Sequence, residues 1–275
     1  MCIRDRGTEW RKTSNSLTPQ TFTDTGDIIG LGYSAYDGTQ NVYAGYVELS
    51  APVLEQLELS GALRYDKYES GEGKATPKLG VKWTPADWIA LRASYAEGFR
   101  APNPAENGDG GLAAFSNARD PVRCAISEAE CTARSVAIIT RPNSDLKPEE
   151  SKSYSVGIVL QPTSSTSMTV DAWQIKRTNE IAQGSTADAI AAGNGNVLRD
   201  TNLLNGIAGT GSILAVNTQY INAASTRVRG IDTDIRQTFD IGPGQLEMDL
   251  QWSHVLKFER TDADVTVDYL SLIHI

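Results

Sequence analysis

The chain has 275 residues, of which 40% are hydrophobic, 21% charged and 7% aromatic, and its 24 Gly and 11 Pro are too few for a low-complexity or collagen-like polymer. A net charge of -9 and a pI near 4.8 argue against a nucleic-acid partner, because neutralising phosphates needs an excess of Lys and Arg. No run of about 18 apolar residues occurs, which excludes a helical membrane span. It does not exclude spanning strands, which show lipid only their alternate residues and can average to a hydrophilic chain.

Taken in chain order, residues 1–6 come first and stand apart. Met-Cys-Ile-Arg-Asp-Arg is encoded by ATGTGTATAAGAGACAG plus one base, and the reverse complement of that DNA reads Leu-Ser-Leu-Ile-His and begins an Ile codon. Residues 270–275 are Leu-Ser-Leu-Ile-His-Ile. Both ends look like translated sequencing-adapter DNA, so the fold is read from 7–269 and the chain is expected to be a fragment. Residues 7–39, rich in Thr, Ser and Gly, read as the tail of a long loop.

From about residue 40 the hydrophobic period is two. Leu57, Leu59, Leu63 and Tyr65 alternate with Glu58, Ser60, Arg64 and Asp66, and Leu246, Met248, Leu250 and Trp252 alternate with Glu247, Asp249, Gln251 and Ser253. Such alternation predicts strands with one apolar and one polar face. About eight are expected, near 41–50, 56–68, 75–84, 87–98, 150–161, 166–178, 214–239 and 245–258. Several exceed the ~5–6 residues usual in soluble sheets and suit a tilted spanning strand of ~9–11 residues. Tight Pro- or Gly-based turns at 51–54, 84–87, 161–164 and 240–244 alternate with longer connections at 69–74, 99–149 and 179–213. Short turns at one end and long loops at the other are the pattern of outer-membrane barrels. Residues 185–192 read as a short helix within the last loop.

The polar face carries Glu58, Arg64, Asp66, Lys78, Lys82, Arg92, Asp171, Asp232, Asp234, Arg236, Glu247 and Asp249. That is too much charge for a dry core, and it requires either a polar lumen or the solvated face of an open sheet packed on another. The loop asymmetry, with Tyr65, Tyr68, Trp83, Trp88, Tyr95 and Trp252 near strand ends, favours the barrel. Pro77 conflicts with it, because a closed barrel has no spare edge, unless that residue lies near the rim.

Three segments resemble hallmarks of the TonB-dependent receptors: Leu-Gly-Val-Lys-Trp-Thr-Pro-Ala-Asp-Trp-Ile-Ala-Leu-Arg-Ala-Ser-Tyr-Ala-Glu-Gly-Phe-Arg-Ala-Pro (79–102), Asn-Ser-Asp-Leu-Lys-Pro-Glu-Glu-Ser-Lys-Ser-Tyr (143–154) and Val-Arg-Gly-Ile-Asp-Thr-Asp (228–234). The resemblance spans roughly 40–260. It implies an all-β fold, an antiparallel transmembrane β-barrel of the bacterial outer membrane, of which about eight of about 22 strands are present. It implies capture of a scarce nutrient (a ferric siderophore, cobalamin or an oligosaccharide) at the outer face. Import would be energised by the inner-membrane TonB complex acting through an N-terminal plug. The plug, the TonB-contacting segment and the C-terminal aromatic are expected to lie outside this fragment. Outer-membrane lipid and the nutrient are the other implied partners, and no nucleic acid, cofactor, metal or catalytic residue is expected. A passive porin and a secreted β-sandwich adhesin or hydrolase are the rival readings.

The family-motif positions are Gly98, Phe99, Arg100, Ala101, Pro102, Leu146, Lys147, Pro148, Glu149, Arg229, Gly230 and Asp232. Pro102 restricts Ala101 to extended geometry and Gly98 permits a bend. Arg100 reads either as a contact to the plug or an anionic ligand, or as a solvated strand terminus. The acids Glu149 and Glu150 are expected to pair with Lys147, Lys152 or Arg100 across the rim. Cys124 and Cys131, two cysteines in one exported loop, are expected to form a disulfide; their spacing is not that of a zinc site. His254 has no Ser or Asp partner set that would make a catalytic triad. The Gly-rich stretches 193–196 and 206–211 lack the strand–loop–helix setting of a phosphate cradle. Ligand contacts are expected within loops 99–149 and 179–213.

Overall fold

The computed structural model describes residues 3–19, 21, 33–69, 71, 73–193, 195–262 and 265–270. The long strands are β1 (Ile3–Leu17), β2 (Tyr33–Leu54), β3 (Leu57–Tyr68), β4 (Gly73–Ala86) and β5 (Ile89–Arg100). Within the first long loop lie α1 (Pro104–Asn107), β6 (Asp109–Ala118), α2 (Pro121–Cys124) and β7 (Arg134–Arg141). The sheet resumes with β8 (Glu149–Thr163) and β9 (Thr166–Gln183), and the second long loop holds α3 (Thr186–Ala192) and β10 (Val197–Arg199). Last come β11 (Ile213–Ile241), β12 (Gly244–Asp262) and β13 (Val265–Asp268).

The ladder β1–β2–β3–β4–β5–β8–β9–β11–β12–β13 is antiparallel throughout. Among the described residues β1 and β13 do not pair with each other, so the sheet is an arc and not a closed barrel. At one end the strands are joined by two-residue turns at Glu55–Gln56, Asp87–Trp88, Ser164–Ser165 and Gly242–Pro243. Gly242 has φ 57°, the left-handed geometry glycine adopts without a Cβ clash. The long connections all leave from the opposite end, as expected of a spanning barrel.

Each expected strand is present. The expected loop over 7–39 is corrected at both its ends: residues 3–17 form β1, in register with Tyr36–Ser50 of β2, and β2 itself starts at Tyr33, while 20 and 22–32 lie outside the described residues. Its polar residues on both faces hid that strand, because alternation is the only local sign of one. Residues 1–2 and 271–275 lie outside the described residues. Pro77 pairs with Leu63 of β3, while the β4–β5 ladder begins at Lys78. The proline thus sits where pairing to β5 has already stopped, and β5 loses no bond to the missing N–H.

The two faces differ as the alternation requires. Leu59, Leu63, Leu79, Tyr154, Val156, Leu246, Met248, Leu250 and Trp252 are all exposed on one side. No second sheet covers them among the described residues, which removes the β-sandwich reading. The buried apolar cluster lies instead among the long loops: Val136, Ile138, Ile190, Ile213 and Val216.

Candidate functional site

The concave face is laced with ion pairs. The Arg64 guanidinium donates to Asp66 (2.8–3.1 Å) and to Glu9 (2.8 Å). Arg92 reaches across β8 to Asp171, its Nε donating at 2.9 Å. The residue between them in the row is Gly157, where a Cβ would lie 1.9 Å from Asp171 Oδ1. Arg236 binds Asp249 (3.1 Å) and Glu247 (3.4 Å). Asp232 accepts from the Ser253 hydroxyl (2.5 Å). Such a face needs water or polar protein beside it, never lipid.

At the outer rim, β5 and β8 end together, with Arg100 opposite Glu149. Arg100 is held by two carboxylates at once: Nε and Nη2 donate to Glu149 (2.9 and 2.7 Å), and Nη1 and Nη2 donate to Glu106 (2.8 and 3.0 Å). Glu106 is fixed in turn by a reciprocal cap with Asn103 at the start of α1. Glu149 also accepts from the Ile181 N–H (2.8 Å), tying β9 to the same cluster. Lys147 is clamped through its backbone by the Asn222 side-chain amide, which accepts from its N–H (2.8 Å) and donates to its carbonyl (2.9 Å). Leu146 is buried beside this clamp, and Phe99 packs edge-on against Tyr68 with ring centres 5.7 Å apart. The Pro102 carbonyl accepts from Gln40 (3.5 Å). The first two motifs thus meet as one rim joint, and Arg100, doubly engaged, is not free to take an anionic ligand.

The third motif stands apart, on β11. Gly230 pairs with Trp173 of β9, and a Cβ there would meet the indole ring at 2.8 Å. Arg229 is exposed on the opposite, convex side.

Above the rim the two long loops fold against each other. β6 pairs with Tyr33–Asp37 of β2, and β7 pairs in parallel with Ala215–Gln219 of β11, so this hairpin bridges the flanks of the arc. Asp120 caps α2 by accepting from the N–H groups of Val122 (3.1 Å) and Arg123 (3.5 Å). Its carboxylate also takes both terminal nitrogens of Arg199 from the other loop, Nη2 at 2.9 Å. Arg123 donates to the Thr210 carbonyl (2.7 Å) and to Glu130 (2.9 Å), which also holds Arg134 (2.8 Å). The Cys124–Cys131 disulfide closes the segment carrying these residues, with a Cα separation of 4.4 Å. Nothing in the sequence paired Glu106, Asp120, Arg123, Glu130 and Arg199, which read there only as loop charges. The patterns Asn103-Pro-Ala-Glu106 and Asp120-Pro121 were readable as helix starts, but the partner of Asp120, Arg199, lies 79 residues away.

Two tests follow. Burial opposes the charge on Asp120, but the Arg199 hydrogen bonds outweigh it and hold the carboxyl below its ordinary range. Its stabilising effect is therefore complete above that range and is lost as pH falls through the lowered value. Limited proteolysis of the outer loops is expected to be unchanged from pH 7 to 5 and to rise below about pH 4, with Asp120→Asn abolishing the pH step. Loops that stay equally resistant at low pH would contradict the assignment. Separately, Cys131→Ser is expected to lower the stability of the loop unit by roughly 2–3 kcal/mol, read as faster cleavage within 119–134 and no loss of barrel assembly.

Between α3 and β11 lies an open groove of about 500 Å³, lined by Arg141, Ser185, Asp188, Asn217 and Gln219 among others. It is polar, and it draws on both loops.

The family model for "TonB dependent receptor-like, beta-barrel" matches residues 3–271. The chain belongs to the TonB-dependent receptors. It is 26% identical over 161 residues to a probable TonB-dependent siderophore receptor, PirA, of Acinetobacter baumannii, a match covering 56% of this chain and 20% of that protein. Among solved structures, the siderophore receptor PirA from the same organism superposes with a TM-score of 0.63 at 16% identity, covering 94% of this chain and 37% of that one. The ferric enterobactin receptor PfeA of Pseudomonas aeruginosa, a Q482A mutant with enterobactin, gives 0.63 at 16%, covering 96% and 37%. The Serratia marcescens hemophore receptor HasR gives 0.52 at 18%, covering 93% and 40%. This receptor segment therefore spans well under half the length of these relatives and carries the architecture of the bacterial outer membrane.

Proposed function

We propose that this segment forms the nutrient-capturing flank of a receptor that imports a ferric siderophore, with the energy supplied by the TonB complex through a plug seated in the polar lumen. The observation that carries the reading is the folding of two long loops into one unit at the outer end of the arc. A passive pore needs no such construction, whereas capture of a bulky solute does. Siderophore is preferred to cobalamin or oligosaccharide because the relatives in sequence and in fold are described as siderophore receptors. The segment binds and admits its solute, and no catalytic step is assigned to it. Ligand contacts are assigned to the groove beside α3, where Arg141 has only a long contact to Asn217 (3.4 Å) and no carboxylate partner among the described residues.

The test uses the full-length receptor in cells lacking other siderophore receptors. Uptake of radioiron as ferric siderophore should require the receptor and an intact TonB complex, and Arg141→Ala should weaken ligand binding while leaving the loops protease-resistant. Equal uptake without TonB would identify a passive pore. Uptake of cobalamin or a sugar, with none of iron, would overturn the substrate class.

A further inference from the structure

The convex face carries a second charged feature, separate from the capture groove. Every arginine of the concave face described above is held by a carboxylate, yet Lys176, Arg227 and Arg229 form no side-chain ion pair or hydrogen bond among the described residues. All three are exposed. Lys176 stands directly opposite Arg227 on the β9–β11 ladder, and Arg229 lies two residues on, opposite Lys257 of β12. Side chains so paired are roughly 5 Å apart at Cβ, and like charges in that position repel. The facing carboxylate, Glu259, is engaged by Lys257 at 2.5 Å, and Glu97 lies 3.5 Å from Lys152. The cluster is therefore left with uncompensated positive charge in a chain whose net charge is -9.

Its level is set by the strand lengths. Lys176 lies about ten residues along β9 from the short Thr163–Thr166 turn, the length of one tilted span, which places it at the outer membrane interface. Tyr95 and Tyr154, with ring centres 5.1 Å apart, mark that interface on the neighbouring strands. Directly below the tyrosines is an apolar groove of about 490 Å³ on the lipid side, lined by Leu59, Leu79, Val81, Tyr95, Tyr154 and Val156. Cations above a tyrosine pair, with an acyl-sized furrow beneath, complement one kind of molecule.

We propose that Lys176, Arg227 and Arg229 bind the phosphate groups of an outer-leaflet lipid whose acyl chain lies in the Leu59–Tyr154–Val156 groove. This site stands independently of which nutrient the receptor imports. It relieves the repulsion among the three cations and fixes the receptor to its surrounding leaflet.

The experiment uses the full-length receptor, purified in detergent, with a bis-phosphorylated, acylated glucosamine disaccharide as probe. Native mass spectrometry should show the lipid bound to wild type. The triple variant K176Q/R227Q/R229Q should weaken binding about a hundredfold, each cation near an anionic lipid contributing about fivefold. K176R/R227K/R229K should retain it, and Arg236→Gln on the concave face should change nothing. Heat-modifiable gel mobility reports folding; if the triple variant does not fold, Arg229→Gln alone is read, with about a fivefold loss expected. Unchanged affinity in the Gln variant would overturn the proposal. So would equal binding of the dephosphorylated lipid, which would leave only an apolar groove, or displacement of the lipid by inorganic phosphate, which would leave a simple anion site.

Discussion

Full-length receptor carrying Gly230→Val is expected to reach the membrane in a severalfold smaller folded fraction than wild type. A Cβ at this position would lie 2.8 Å from the Trp173 ring and 2.8 Å from the His254 carbonyl oxygen. The carbonyl belongs to β12 at the point where the β11–β12 register shifts, so it cannot withdraw without breaking the ladder. The indole is a large lumenal side chain lying across the glycine, and moving it disturbs the row that holds Asp171 and Asp232. Overpacking of this kind costs about 1–3 kcal/mol, and a β-branched side chain lies at the upper end. The band that runs fast without heating and slow after it should fade in Gly230→Val, dim less in Gly230→Ala, and partly recover when Trp173→Ala is added. Normal assembly of the valine variant would show that the third motif's glycine is not there for packing.

The second large effect is expected at the rim. Arg100→Ala leaves Glu106 and Glu149 facing each other with no cation between them. Arg100 is 42% exposed, so water screens part of the loss, and roughly 1–3 kcal/mol is expected. Because the Glu106 side chain caps α1 and Glu149 restrains the Ile181 backbone, the loss should loosen both long loops together. Cleavage by added protease should rise severalfold in 101–148 and in 184–212 at once, while the membrane strands stay protected. Arg100→Lys should rescue little, since an ammonium cannot present two forks to two carboxylates. Glu149→Gln combined with Arg100→Ala should cost less than the two changes summed. Loosening of one loop alone would refute the joint.

What was legible in the residues was whatever is local. Leu59, Leu63, Leu246 and Leu250 alternate with charges, and that period of two yielded the strands, the lipid face and the polar face. The Pro- and Gly-based turns ordered the two ends. β1 was hidden because polar residues such as Glu9, Arg11 and Lys12 break the alternation around Trp10; its existence depends on hydrogen bonds to β2, which no local pattern encodes. The loop unit was hidden for a related reason. Asp120 and Arg199 each look like solvated surface charges until the β6–β7 hairpin and the pairing of β10 with β11 bring them together. Arg100 was readable as a strand end, and its pairing with Glu149 was among the expected options. Its second partner, Glu106, needed the geometry of a one-turn helix.

The hairpin that stitches β2 to β11 has a consequence for how such a mouth can vary. A loop anchored at a single point can lengthen or change sequence without troubling its neighbours. Here the two long excursions share a tie-bar, a cystine-closed knot and a common apolar centre, so an insertion in either must be absorbed by both. Tags, epitopes or grafted binding segments should be tolerated at solvent-facing tips away from the groove beside α3. At the Ala113–Ile139 seam they should widen or collapse the aperture itself.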